Sequence, residues 1–141
     1  MKPTTQEWVD KAEGDFSVAQ LLAAQKKPSC DHICFLSQQC VEKYLKACLQ
    51  EADIFFPKTH LLPALMDLLL PTAPGWEDLQ PQLKSLSAYA VDYRYPGATA
   101  TIELADEALQ DCTSARAVIR QHLGLEDEKR IEAEVRETKQ E

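Results

Sequence analysis

Glycine is scarce in this chain, at 4 of 141 residues, and no long uncharged apolar run is present. Few glycines beside many Leu and Ala, with 45% hydrophobic residues overall, describe a helical protein rather than a strand-rich or disordered one. The longest apolar stretch, Leu61 to Leu70, is interrupted by Pro63 and Asp67 and falls short of the roughly 20 apolar residues that a membrane span needs. No membrane association is expected. Positive charge is also in short supply, since 15 Lys and Arg face 23 Asp and Glu for a net charge of −8. Adhesion to a nucleic-acid backbone comes from summed Lys and Arg, so any polyanion contact must be local.

Recognisable catalytic machinery is missing too. The chain has no phosphate loop, no pair of Glu-x-x-His motifs, no nucleophile elbow and no CxxC, which argues against di-metal, triad-hydrolase and redox functions. Cys30, His32 and Cys34 lack a second ligand cluster, so no metal and no cofactor is expected. Five cysteines, an odd number with three inside one predicted helix, read as free thiols in a reducing compartment. The N-terminal segment carries Glu7, Asp10 and Glu13 where a signal peptide would have an uncharged core. The expected location is cytoplasmic.

What is present is helical periodicity. Pro3, with Thr4 and Glu7 in capping-box spacing, opens a first helix whose apolar side runs Trp8, Ala12, Phe16, Ala19, Leu22 and Ala23 and stops before Pro28. Ser29 or Asp31 caps a second, from about His32 to Gln50. Its stripe Ile33, Leu36, Cys40, Tyr44 and Cys48 is widened by Val41, Leu45 and Leu49, as in a helix buried on two faces. A shorter helix begins at Thr59 or His60, with Pro63 in its first turn and Leu61, Leu62, Leu65, Leu68 and Leu69 buried. Another spans Trp76 or Pro81 to Tyr93. Thr99 or Thr101 caps the last, with the stripe Ile102, Ala105, Leu109, Cys112, Arg116, Ile119 and Leu123 and a stop at Gly124. The expected architecture is all-α, an up-and-down bundle of four to five helices over residues 1–125. A charged tail, 126–141, holds seven acids and four bases and is either disordered or a helix that needs a partner.

Two stretches carry the functional signal. Gln39, Lys43 and Lys46 recur at i, i+4 and i+7 on a flank of the second helix, a spacing that gathers side chains on one face. Tyr93-Arg94-Tyr95-Pro96-Gly97 places a guanidinium between two aromatic rings ahead of a turn. The cation can grip a phosphate or carboxylate and the rings can stack on a base, which suggests a nucleotide-sized ligand. The alternatives for Arg94 are a salt bridge to Asp92 or Glu42, or a partner surface. His60, beside Lys58 at a helix start, is the best placed histidine for an anion.

These pieces, in order, are similar to a HEPN domain, a small helical family often found beside minimal nucleotidyltransferases. The resemblance covers roughly Trp8 to Leu123. It rests on Trp8-x-x-x-Ala12-x-x-Asp15, Gln38-Gln39-x-x-Glu42-Lys43-x-x-Lys46, Pro57-Lys58-Thr59-His60-Leu61 and Tyr93-Arg94-Tyr95-Pro96. It implies a bundle that is commonly a homodimer. For some members it implies an RNA-cleaving toxin neutralised by a nucleotidyltransferase partner. The ribonuclease branch carries Arg, four to six residues, then His near the start of its last helix, and the segment after Arg94 has no His. Arg116 and His122 satisfy the spacing formally, but six helical steps set them about 120° apart.

The expected function is therefore a nucleotide- or RNA-associated binding module, the non-cleaving or weakly active partner of a nucleotidyltransferase in a toxin–antitoxin-type pair. Its pocket is expected among Gln39, Lys43, Lys46, His60, Arg94 and Tyr95. The alternatives are a metal-independent RNA endonuclease toxin acting through Arg116 and His122 or through His60 and Arg94, and a pure assembly module.

Overall fold

The second helix is the mast of the molecule. The computed structural model describes residues 1–125, and in it α2 (Cys30–Glu51) is buried along well over half its length. Tyr44, Leu45, Leu49 and Val41 have no exposed surface. The α1 helix (Pro3–Ala23) lies along one side of α2, α5 (Ile102–His122) along another, and the short α3 (Leu62–Leu69) packs across. The described residues contain five α-helices and no strand. They form the all-α bundle expected, while the tail 126–141 lies outside the described residues.

The helix ends show which local signals were used. At α1, Lys2 is extended at the N-cap and Pro3 enters the first turn, where its missing donor is harmless. The Thr4–Glu7 capping box is not formed. Instead the Lys2 backbone N–H and the Thr5 hydroxyl both donate to Glu51 Oε1 at 2.9 Å, and the Lys2 ammonium pairs with Asp53, so the chain start is tied to the end of α2. Val9, Ala12, Phe16 and Ala19 are the buried stripe of α1, while Trp8, Leu22 and Ala23 pack at its margin. Asp53 adopts φ 56, a left-handed conformation that Asp tolerates better than most residues. It turns the chain off α2.

The start of α3 falls at Leu62 rather than Thr59 or His60. Leu61, expected in the core, is 61% exposed, and Met66 is buried beside Leu62, Leu65 and Leu69. The helix expected up to Tyr93 divides into a 3₁₀ turn (Pro74–Leu79), α4 (Gln80–Ser87) and a second 3₁₀ turn (Ala88–Ala90). Pro81 cannot donate within a continuing helix, so a new one starts at Gln80. In α5, Thr101 Oγ1 accepts from the Leu104 N–H at 3.2 Å, as a capping threonine should. Gly124, at φ +73, ends it. Ile102 is 55% exposed, because the stripe that faces α2 begins one turn later, at Ala105.

Candidate functional site

Loop 91–101 runs from the second 3₁₀ turn to α5 and closes over the first turns of α2. Between them lies a cleft of about 530 Å³ lined by Asp31, His32 and Phe35 from α2 and by the run Tyr93 to Thr99. Asp31 Oδ1 accepts the Ala100 N–H at 2.7 Å, which fastens the loop to α2. The turn depends on Gly97, whose φ of +110 disfavours any side chain. The Arg94 guanidinium carbon sits 5.3 Å from the centre of the Phe35 ring and 5.9 Å from that of Tyr95, within range for cation–π attraction. Among the described residues no carboxylate pairs with Arg94, so neither Asp92 nor Glu42 forms the salt bridge that was one alternative. His32 faces the same cleft, its Nδ1 held 2.6 Å from the Ser29 hydroxyl. Beneath the loop, Tyr93 packs on Tyr89 with ring centres 5.6 Å apart. Burial pushes the Tyr89 phenol up to about 12, and it shifts Tyr93 the same way.

A second polar cluster lies farther along the same face of α2. Phe35, Gln39, Glu42 and Lys46 follow at steps of four, three and four, so they share one stripe. Glu42, 4% exposed, is the hub of this cluster. Its Oε1 meets His60 Nδ1 at 2.8 Å and Gln38 Nε2 at 3.1 Å, and its Oε2 accepts from Lys46 Nζ at 3.1 Å. Lys46 also lies 5.6 Å from the centre of the Trp8 ring. Gln39 donates to Gln38 Oε1 at 2.7 Å. Lys43 turns toward α1 and pairs with Asp15 at 2.6 Å.

The recess expected from the sequence is thus laid out in two parts along one stripe. Arg94 and Tyr95 line the cleft. Gln39, Lys43, Lys46 and His60 do not line it, and Glu42, the hub of the second cluster, lies about 10 Å along the axis from Phe35. Neither half is on the opposite side of α2.

The pair Arg116 and His122 does not come together. Arg116 is buried against α1, with its Nε 2.8 Å from Glu13 Oε2 and its guanidinium carbon 4.3 Å from the centre of the Phe16 ring. Arg120 Nη1 donates to Glu13 Oε1 at 2.9 Å and to the Tyr44 hydroxyl at 3.0 Å. His122 packs edge-on against Trp76, ring centres 4.8 Å apart. Arg116 is therefore the interior charge that makes sense of its place in an apolar stripe. Sequence reasoning passed over Asp31, His32 and Phe35 as cleft residues. The available signal was their position one and two turns before Gln39 on the same helical face.

The model of the HEPN domain family matches residues 5–122. The chain belongs to the HEPN family. Among solved structures, the crystal structure of an archaeal HEPN homologue is similar at 27% identity and a TM-score of 0.69, covering 86% of this chain and 98% of that one. Among curated proteins none matches. The HEPN match takes in all five helices and both polar clusters, so the cleft belongs to the domain itself.

Proposed function

We propose that this HEPN domain is a nucleotide- or RNA-associated binding module whose ligand seats in the cleft between α2 and loop 91–101. The observation that carries this reading is Arg94, a guanidinium held between Phe35 and Tyr95 with no carboxylate partner among the described residues. Such a group offers its donors to a phosphate while the rings offer a face to a base. In keeping with the net charge of −8, the contact is local rather than a broad basic surface. Gln39, Lys46 and His60 lie outside the cleft, farther along the α2 face that it shares, and Lys43 pairs with Asp15 of α1.

The domain is proposed to work in the cytoplasm as a homodimer and as the non-cleaving or weakly active half of a toxin–antitoxin-type pair with a minimal nucleotidyltransferase. Calorimetric titration with ATP and AMP tests the ligand reading. Binding should weaken at least about tenfold in Arg94→Ala, the scale of a lost charge-assisted hydrogen bond. No heat from the wild-type protein beyond that of the variant would sink it. Pull-down with a nucleotidyltransferase, and sedimentation of the isolated chain, test the partner and the dimer separately.

A second reading, a metal-independent RNA endonuclease, is favoured by one observation: His32 and Arg94 line the same cleft, an imidazole and a cation within one volume. Expression alone in a bacterial host separates the two. Growth arrest relieved by His32→Ala supports cleavage, and unimpaired growth supports the binding module.

A further inference from the structure

The three histidines sit in different chemical settings. His32 leans on a neutral hydroxyl and His122 on an indole ring. Among the described residues His60 alone of the three meets a carboxylate, with its Nδ1 2.8 Å from Glu42 Oε1. The other two groups on Glu42, the Gln38 amide nitrogen and the Lys46 ammonium, are donors with no lone pair to offer. All the hydrogen-bonding groups around Glu42 other than His60 are donors, so a ring proton on Nδ1 completes the set, and that is the tautomer assigned to His60. The residue is also clamped through its main chain, because the His60 carbonyl accepts from Gln38 Nε2 at 3.1 Å and from the Ser87 hydroxyl at 3.4 Å. The carboxylate is 4% exposed and the imidazole 70%. The ring is thus held through Nδ1 by a buried carboxylate while most of the imidazole is open to solvent.

From this geometry we infer that His60 is a phosphoryl-acceptor residue, taking a phosphoryl group on Nε2 from an activated phosphate donor such as an acyl phosphate or a phosphoramidate. The Nε2 lone pair forms the new bond to phosphorus while the bond from phosphorus to the leaving group breaks, and the leaving group departs with that electron pair. From phosphoramidate, whose nitrogen is already protonated, the leaving group is ammonia. The ring ends phosphorylated on Nε2 and protonated on Nδ1, and the Glu42 carboxylate stabilises that cation. This site is independent of whether a nucleotide occupies the Arg94 cleft.

The test uses the full chain and potassium phosphoramidate, followed by phosphorus NMR and peptide mass spectrometry. His60 should be labelled ahead of His32 and His122, on Nε2, and His60→Asn should abolish the fast label. Glu42→Gln should slow it by about tenfold, the effect of losing one charge-assisted hydrogen bond, with circular dichroism checking that the variant is folded. Equal labelling of the three histidines, label on Nδ1 of His60, or a wild-type rate in folded Glu42→Gln would overturn the proposal. The wild-type protein supplies a second measurement. Nitrogen NMR should find the His60 proton on Nδ1 with Nε2 bare, and a proton on Nε2 would overturn the proposal without any variant.

Discussion

Removing Glu13 should cost this protein a large part of its stability, and the size of the loss follows from what the carboxylate does. Glu13 accepts from Arg116 through both oxygens and from Arg120 through one, binding α1 to α5. The three side chains are 20%, 11% and 12% exposed. Breaking a fully buried ion pair by deleting one partner costs about 3–5 kcal/mol. Since these groups keep some contact with water, which screens the pair, Glu13→Ala should lie at the lower end, about 3 kcal/mol. For a domain of this size that corresponds to a fall in Tm of about 10 °C. Urea denaturation followed by circular dichroism measures it directly. A double-mutant cycle with Arg116→Ala should give a coupling above about 1 kcal/mol. A loss below about 1 kcal/mol for Glu13→Ala, or a coupling indistinguishable from zero, would refute the view that Arg116 is held for the bundle rather than for chemistry. Folded Arg116→Lys should also bind any cleft ligand as the wild type does.

Three further outcomes are expected. Leu65 is fully buried, so Leu65→Ala should destabilise by about 3 kcal/mol through lost transfer energy and a residual cavity, read from the same urea transitions. Burial pushes the Cys34 and Cys48 thiols up to about 12, and a thiol–thiol contact with Cys112 together with burial raises Cys40. At pH 8 Ellman's reagent should therefore modify at most one thiol of the native protein, half-buried Cys30, and all five after denaturation; two or more fast native thiols would contradict the packing. The Lys2 backbone N–H and then the Thr5 hydroxyl hold Glu51 below its ordinary carboxylate value. A lowered native value means that its stabilising contribution is fully present above the unfolded carboxylate value and is lost as pH falls from there through the lowered native value. Glu51→Gln should flatten the acid limb of a Tm–pH profile, and an unchanged slope would count against the tether.

The long helices were legible because their buried faces repeat every three to four residues over five or six turns, as Ala12, Phe16 and Ala19 do, although Val9 rather than Trp8 takes the buried place at the head of the stripe. The terminating Gly124 was equally plain, and the cap, left open between Thr99 and Thr101, falls on Thr101. The short elements were not. With eight residues in α3, one leucine more or less shifts the boundary, and the exposure of Leu61 is decided by where α3 meets α4 rather than by any local rule. The chain after Ser87 tightens into 3₁₀ geometry, which has no hydrophobic period long enough to read.

For the site, helical spacing placed Gln39 and Lys46 on one stripe but could not say what each would touch. Lys43 turned to Asp15 and Lys46 to Glu42, because a buried or half-buried ammonium takes a carboxylate within reach. Glu42 could be quoted as part of a motif, and its donors Gln38 and Lys46 lie one turn to either side of it on α2, yet its third partner, His60, depends on loop 52–61 folding back across α2. Arg94 fared better, since its aromatic neighbour Tyr95 is adjacent in sequence. Phe35, the other ring, is 59 positions away and was invisible until the fold supplied it.

The loop that walls the cleft is stitched to α2 at Asp31 and rooted in the core by Tyr93 and Ala100, while its residues 94–99 are all exposed and contribute almost nothing to the interior. Scaffold and cassette are therefore separable. The six positions can be rewritten, lengthened or grafted with little penalty to folding, provided the left-handed corner at Gly97 and the stitch at Ala100 survive. A bundle arranged this way can change what it recognises without renegotiating how it stands up.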